Sequence, residues 1–273
     1  MRSIAKLMKD WQFTGPNGVT TAVELPHTWN ARDGQDGGND YWRGCCTYCT
    51  CFAAPVYDPA QQQVWLQFEG INASAAVLLN GQQLCTHDGG YSTFRAEVTE
   101  LLQAENQLTV RVDNSVNDRV YPQKADFTFY GGIYRDVSLL VVNKNHIALG
   151  HFGDTGVKIT PALQENSADI RVETLVEGSG TVTVELLDTE GRTVAKGEGE
   201  NASLHLDAPH LWNGVKDPYL YTCVVRLLQD GQPVDEVTTR VGLRSFSVDA
   251  MCAACPSSCS PSAPARRKDR RPA

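Results

Sequence analysis

Val64-Trp65-Leu66-Gln67-Phe68-Glu69-Gly70, followed by Ala75-Ala76-Val77-Leu78-Leu79 running into Asn80-Gly81, decides the fold. The first run alternates apolar and polar residues, the period of a strand with one face on a core. The second ends on Asn-Gly. Both residues of that dipeptide tolerate positive φ, so it is a strong local signal for a two-residue hairpin. Working outward, Leu108-Thr109-Val110-Arg111-Val112-Asp113 alternates in the same way, and Val137-Ser138-Leu139-Leu140-Val141-Val142 is a mainly apolar strand. Ser92 to Gln103 alone hints at a helical turn, read as a joint between two strands. Short strands separated by Gly, Asn, Asp and Pro turns predict an all-β sandwich.

A second series begins near Val157. It includes Asp169 to Val176, Gly180 to Leu187, a hairpin through Asp188-Thr189-Glu190-Gly191 onto Arg192 to Lys196, Ala202 to Leu206, Leu220 to Leu228, and Val237 to Val248. About seven strands in this space fit an immunoglobulin-like sandwich. A polar stretch from Asn143 to Gly150 separates the two series. The expected organisation is a first sandwich over 1–145, a second over 146–249, and a tail over 250–273. That tail is Cys, Pro, Ser, Ala and Arg with no large apolar residue after Met251. It cannot bury enough surface to offset its ordering entropy and is expected to be disordered.

The 273 residues carry a formal net charge of −8. Five basic residues of the tail stand against Asp269 alone, so the body is more acidic still, about −12. Such a body argues against nucleic acid as a partner. No run approaches the roughly 18 apolar residues of a membrane helix, and the first ten residues lack the apolar centre of a signal peptide. A cytoplasmic protein without membrane partners is expected. Nine cysteines, an odd number unevenly spread, are not a disulfide framework. In a strand, Cys45, Cys49 and Cys51 would face one side and Cys46 the other, without the paired spacing of a zinc site. Cys252, Cys255 and Cys259 come nearer to a metal spacing, but in a tail of this composition adventitious binding or intermolecular disulfides are the better reading. No cofactor is called for.

Several stretches together resemble glycoside hydrolase family 2, the β-galactosidase and β-glucuronidase group. Leu25-Pro26-His27-Thr28-Trp29-Asn30 looks like its Pro-His-x-Trp element, and Asp40-Tyr41-Trp42-Arg43-Gly44 resembles its next strand. Phe68 to Gly81 resembles the central hairpin of its sugar-binding domain, and His87-Asp88-Gly89-Gly90-Tyr91-Ser92-Thr93-Phe94 follows. Most specific is Asp126 to Val137, which contains Gly132-Ile133-Tyr134-Arg135-Asp136-Val137 and matches the Gly-Ile-x-Arg-Asp-Val signature. Leu211-Trp212-Asn213, Pro218 to Tyr221 and Val241 to Arg244 resemble the end of its immunoglobulin-like module.

The resemblance implies a jelly-roll sugar-binding domain, an immunoglobulin-like domain, and a (β/α)8 barrel holding two catalytic glutamates. A barrel takes about 250 residues. Only 24 follow Asp249, and none is Glu. The expectation is a truncated homologue, a carbohydrate-binding-type module that does not hydrolyse glycosides by the family mechanism. The abrupt change after Asp249 is what a shifted reading frame would produce.

On the resemblance, Asp126 stands where galactosidases carry an Asp that reaches the sugar pocket. Asn117, Asp118 and Arg119 are candidates for a polar rim beside it, and Trp42 for stacking on a sugar face. Trp29 and Tyr41 share that possibility, and packing of the domain is the better reading for all three rings, while Arg135 and Asp136 are read as loop clamps. Weak binding of a galactoside or glucuronide is expected, with self-association into a homo-oligomer as a further partner. Two other functions stay open: a hydrolase of esterase type, for which His87 with Ser92 is the grouping to test, and a structural or oligomerisation module.

Overall fold

The computed structural model describes residues 1–31, 41–121, 128–150 and 152–246. The tail cysteines and Asp126 lie outside them. Among the described residues every regular element is a strand except a single 3-10 turn at Thr99–Leu101. The chain divides into two compact units, Met1–Lys144 with Leu149–Asp154, and Asn145–Ala148 with the described residues from Thr155 onward.

In the first unit a four-stranded sheet runs in the order Ser3–Lys6, Val137–Asn143, Gln62–Phe68, Phe94–Glu97. A six-stranded sheet runs Thr20–Val23, Trp11–Thr14, Cys45–Ala53, Glu105–Asp113, Ser74–Leu79, Gln82–Asp88. All neighbours are antiparallel. Alternation sends Val64, Leu66 and Phe68 from one sheet against Val77, Leu79, Leu108 and Val110 from the other, the core of a jelly-roll sandwich. Each such side chain, fully withdrawn from water, contributes about 1.5–3 kcal/mol. Val137–Asn143 departs from alternation because both its faces are covered: Leu140 and Val142 pack outward on Leu149 and Trp65.

The Asn80-Gly81 turn closes Ser74–Leu79 onto Gln82–Asp88 with φ of 52° and 82°, as a type I′ hairpin requires. Asn80 does more than turn. Its Nδ2 donates to Leu101 O at 3.1 Å and Asn106 Oδ1 at 3.0 Å, tying the hairpin to the neighbouring segment. The stretch from Ser92 to Gln103, expected to join strands through a helical turn, contains both an edge strand and the 3-10 turn.

The second unit pairs Val157–Leu163, Ser167–Thr174 and Asn201–Asp207 in one sheet. Thr193–Glu198, Thr181–Leu187, Tyr221–Gln229 and Gln232–Val241 form the other. Seven strands in a three-plus-four arrangement make an immunoglobulin-like sandwich around Ile170, Val172, Val184, Leu186, Leu204, Tyr221 and Val225. Pro161 is tolerated because its strand lies at an edge. Asp188 shapes the predicted hairpin by accepting from the Glu190 and Arg192 amides, both at 2.9 Å.

The last strand is shorter than the sequence pattern indicates: it ends at Val241, not near Val248. Beyond it Leu243 enters the core, its carbonyl accepts from the Trp212 amide at 3.0 Å, and the Arg244 guanidinium lies 4.5 Å from the Trp212 ring centroid. Packing on Trp212 replaces ladder bonds there.

Candidate carbohydrate-binding rim

Two buried asparagines organise the loops that carry the motifs. Asn30 Oδ1 accepts from the Gly131 amide at 2.7 Å and from Asn114 Nδ2 at 3.1 Å, while its Nδ2 donates to Trp42 O at 2.8 Å. Asn114 Oδ1 accepts from the Gly44 amide at 2.8 Å, and its Nδ2 also donates to Phe129 O at 3.0 Å. Arg43 Nε donates to Asn114 O at 2.7 Å, and its guanidinium lies over the Phe129 and Tyr41 rings. Segments 27–30, 41–44, 114–120 and 129–133 are thereby held at one node.

Around that node the candidates take different parts. Trp42 packs edge-on against Trp29, with ring centroids 6.0 Å apart, and keeps 37% of its surface in solvent. Trp29 and Tyr41 are partly covered, Trp29 against the core and Tyr41 beneath Arg43. Asn117 uses its side chain locally: Oδ1 accepts from the Arg119 and Val120 amides and Nδ2 donates to Ser115 O. This is turn chemistry, so the amide shapes the loop. Asp118 is exposed. Arg119 Nε pairs with Asp88 Oδ2 at 2.9 Å, and Ser74 Oγ donates to Asp88 Oδ1 at 2.5 Å. The Ser74 hydrogen bond first, and Arg119 after it, hold the Asp88 carboxyl below its usual range. Arg135 and Asp136 sit at loop junctions, Asp136 paired with Lys6 at 2.6 Å and Arg135 against Gly70.

His87 and Ser92 do meet: Nε2 lies 3.0 Å from Ser92 Oγ and 3.2 Å from Gly89 O. With the proton on Nε2, His87 donates to the Gly89 carbonyl, which also accepts from Ser92 Oγ at 3.4 Å, and has no lone pair there to take the Ser92 proton. Among the described residues no carboxylate hydrogen-bonds His87 to orient it. Burial lowers its proton affinity, and the ring stacks on Phe94 at 4.2 Å.

The four clustered cysteines distribute as the strand period requires, Cys46 buried and Cys45, Cys49 and Cys51 on the other face. Among the described residues no group of three His, Cys, Asp or Glu side chains converges to hold a metal. No helix among them is long and apolar enough to cross a membrane. The node of Asn30 and Asn114 escaped the sequence reading as a site feature. Both residues follow recognisable elements, but nothing local says that they meet.

A jelly roll followed by an immunoglobulin-like sandwich defines a tandem β-sandwich protein. Residues 38–163 match the family model described as glycosyl hydrolase 2 galactose-binding domain-like, and residues 151–244 match glycosyl hydrolases family 2. A β-glucuronidase of Bacteroides fragilis is 34% identical over 89% of this chain, and a β-galactosidase of Bacteroides ovatus is 31% identical over 88%. The chain spans 38% and 31% of their respective lengths. The crystal structure of an FMN-binding β-glucuronidase from Facaelibacterium prausnitzii L2-6 superposes with a TM-score of 0.85 at 36% identity, covering 91% of this chain and 40% of that one. The chain belongs to glycoside hydrolase family 2.

Proposed function

We propose that the chain is a sugar-recognising, non-catalytic portion of a family 2 glycosidase, binding galactosides or glucuronides weakly at the rim. The observation that carries this reading is the buried Asn30–Asn114 node within the galactose-binding-like region, which fixes aromatic and charged side chains on adjoining loops. Trp42 offers a ring face, Asp118 and Arg119 offer polar groups, and Asn117 sets the loop that carries them. Asp126 is assigned to the same rim on the family resemblance alone.

The test sets aryl glycosides beside short-chain aryl esters in a hydrolase screen and follows methyl β-galactoside and methyl β-glucuronide by NMR. Binding that perturbs the Trp42 indole, without turnover, is expected. Replacing Trp42 by Ala should weaken it by about ten-fold, in line with about 1–1.5 kcal/mol for an aromatic contact. Glycoside turnover would overturn the reading, and ester turnover lost on replacing His87 would install the esterase alternative.

A further inference from the structure

Asn-Gly occurs three times in the chain, at Asn17-Gly18, Asn80-Gly81 and Asn213-Gly214. Asparagine is among the thermally labile residues, and a following glycine exposes it most. With no Cβ beside it, the glycine nitrogen can reach the asparagine Cγ and close a five-membered ring. We propose that Asn213 is a self-modification site, at which the folded chain turns its own side-chain amide into a carboxylate with water as the co-reactant. This goes beyond the rim reading and does not depend on it.

The step balances as a hydrolysis. Gly214 N loses its proton to solvent base and bonds to Asn213 Cγ, the Cγ–Nδ2 bond breaks, and the amide nitrogen leaves as ammonia. Water then opens the resulting succinimide. Opening at the side-chain carbonyl leaves an ordinary aspartyl residue, and opening at the main-chain carbonyl routes the chain through Cγ as an isoaspartyl residue.

Folding decides which of the three dipeptides reacts. Space does not separate them: a Cβ on Gly18 or Gly81 would meet nothing within 4 Å, and one on Gly214 only the Trp212 ring at 3.8 Å. Hydrogen bonding does. Asn80 is locked, its Nδ2 donating to Leu101 O and Asn106 Oδ1 while its Oδ1 accepts from the Gln107 amide at 2.9 Å. Turning its Cγ onto Gly81 N breaks all three bonds. At about five-fold for each, Asn80 is slowed on the order of a hundred-fold. Asn17 is restrained on both reacting groups. Its Oδ1 accepts from the Val19 amide at 3.1 Å, and the Gly18 amide donates to Gly15 O at 3.1 Å, which opposes loss of the proton.

At Asn213 the restraint falls on the main chain instead. Its amide donates to Asp217 O at 2.7 Å, and its carbonyl accepts from the Lys216 and Asp217 amides at 3.2 and 3.3 Å. Neither the Asn213 side chain nor the Gly214 N–H has a hydrogen-bond partner among the described residues. The turn is anchored while the two reacting groups stay unengaged. An isoaspartyl residue would lengthen this turn by one carbon, beside the Trp212 amide that bonds Leu243 O and the 2.7 Å His210–Asp217 pair.

The experiment incubates the purified full chain in mildly alkaline water labelled with heavy oxygen, with and without urea. Peptide mass spectrometry over a time course follows loss of ammonia and gain of the label at each dipeptide. In the folded chain Asn213 should react first, with Asn17 several-fold behind and Asn80 on the order of a hundred-fold behind. In urea the three rates should converge, because the dipeptide is the same and the hydrogen bonds are gone. Asn213→Gln, whose extra methylene spoils the five-membered ring closure, should leave its own peptide unlabelled while Asn17 still reacts. If that variant unfolds, the ratio of folded to urea rates in the wild type carries the same information. An Asn213 that stays unlabelled in the folded chain, or an Asn80 that keeps pace with it, overturns the proposal.

Discussion

The side-chain amide of Asn114 donates to Oδ1 of Asn30 at 3.1 Å, both residues wholly withdrawn from solvent and 84 positions apart in the chain. Neither side chain retains water as an alternative partner, so each unmet hydrogen bond at this node would cost the desolvation of a buried polar group. Two asparagines can hold four segments because each amide offers donors and an acceptor at once. The rim side chains inherit their positions from that geometry.

Asn114→Ala should therefore destabilise the first unit by about 2–4 kcal/mol, the sum expected for orphaning the Gly44 amide and the Phe129 carbonyl. Urea unfolding followed by tryptophan fluorescence checks this, since Trp11, Trp29, Trp42 and Trp65 lie in that unit. A midpoint unchanged from wild type would show that the loops hold without the node.

The strands were legible because their information is local. Alternation in Val64 to Gly70 and the Asn80-Gly81 dipeptide each encode their conformation within a few residues, and the structure realises both. Contacts that join distant residues were not legible. Arg95 meets Leu149 and Asp154 across 54 and 59 positions, and the Asn30–Asn114 pair spans more. The early end of the last strand has the same origin, because Trp212 takes Leu243 out of the ladder. Asn117 carries local information of the same kind: its oxygen accepts from amides two and three residues on, as in a turn.

The second unit has its own buried polar anchor. Asp235 is fully buried, and its Oδ2 accepts from the Ile147 amide at 2.8 Å while Oδ1 accepts from the Glu236 amide at 3.0 Å. Asp235→Ala should cost about 2–4 kcal/mol by orphaning these donors. Asp235→Asn, which keeps one acceptor oxygen, should cost less. Differential scanning calorimetry ranks the two, and an equal loss would assign the effect to charge rather than to the hydrogen bonds.

Thiol reactivity should follow exposure along the cysteine strand. Burial pushes the Cys46 thiol up to about 12 and the Cys223 thiol up to about 11, so neither forms appreciable thiolate near pH 8. Iodoacetamide at that pH should modify exposed Cys51 well before either, with Cys46 and Cys223 labelled only after unfolding in urea. Peptide mass spectrometry over a time course reads the order. Early labelling of Cys46 would mean that this strand opens in the native protein.

Three histidines should divide by pH in opposite senses. Burial holds His27, which shares a 2.7 Å hydrogen bond with Tyr48, below the ordinary 6.5, and it does the same to His87. The unfolded chain then binds protons more tightly than the folded one, so their contribution is present above about pH 6.5 and is lost as pH falls toward their folded values. His205 is the reverse. Asp169 at 2.6 Å, and then Asp207 at 3.3 Å, raise it above 6.5, so its contribution is full below 6.5 and disappears as pH rises through the raised value. Imidazole proton shifts followed by NMR should show His205 titrating last on raising the pH and His27 and His87 first. Asp169→Asn should bring His205 back toward 6.5 while leaving His27 unmoved, because the Asp169 hydrogen bond is the largest contribution to the shift. A His205 midpoint unchanged in that variant would show that the pair does not persist in solution.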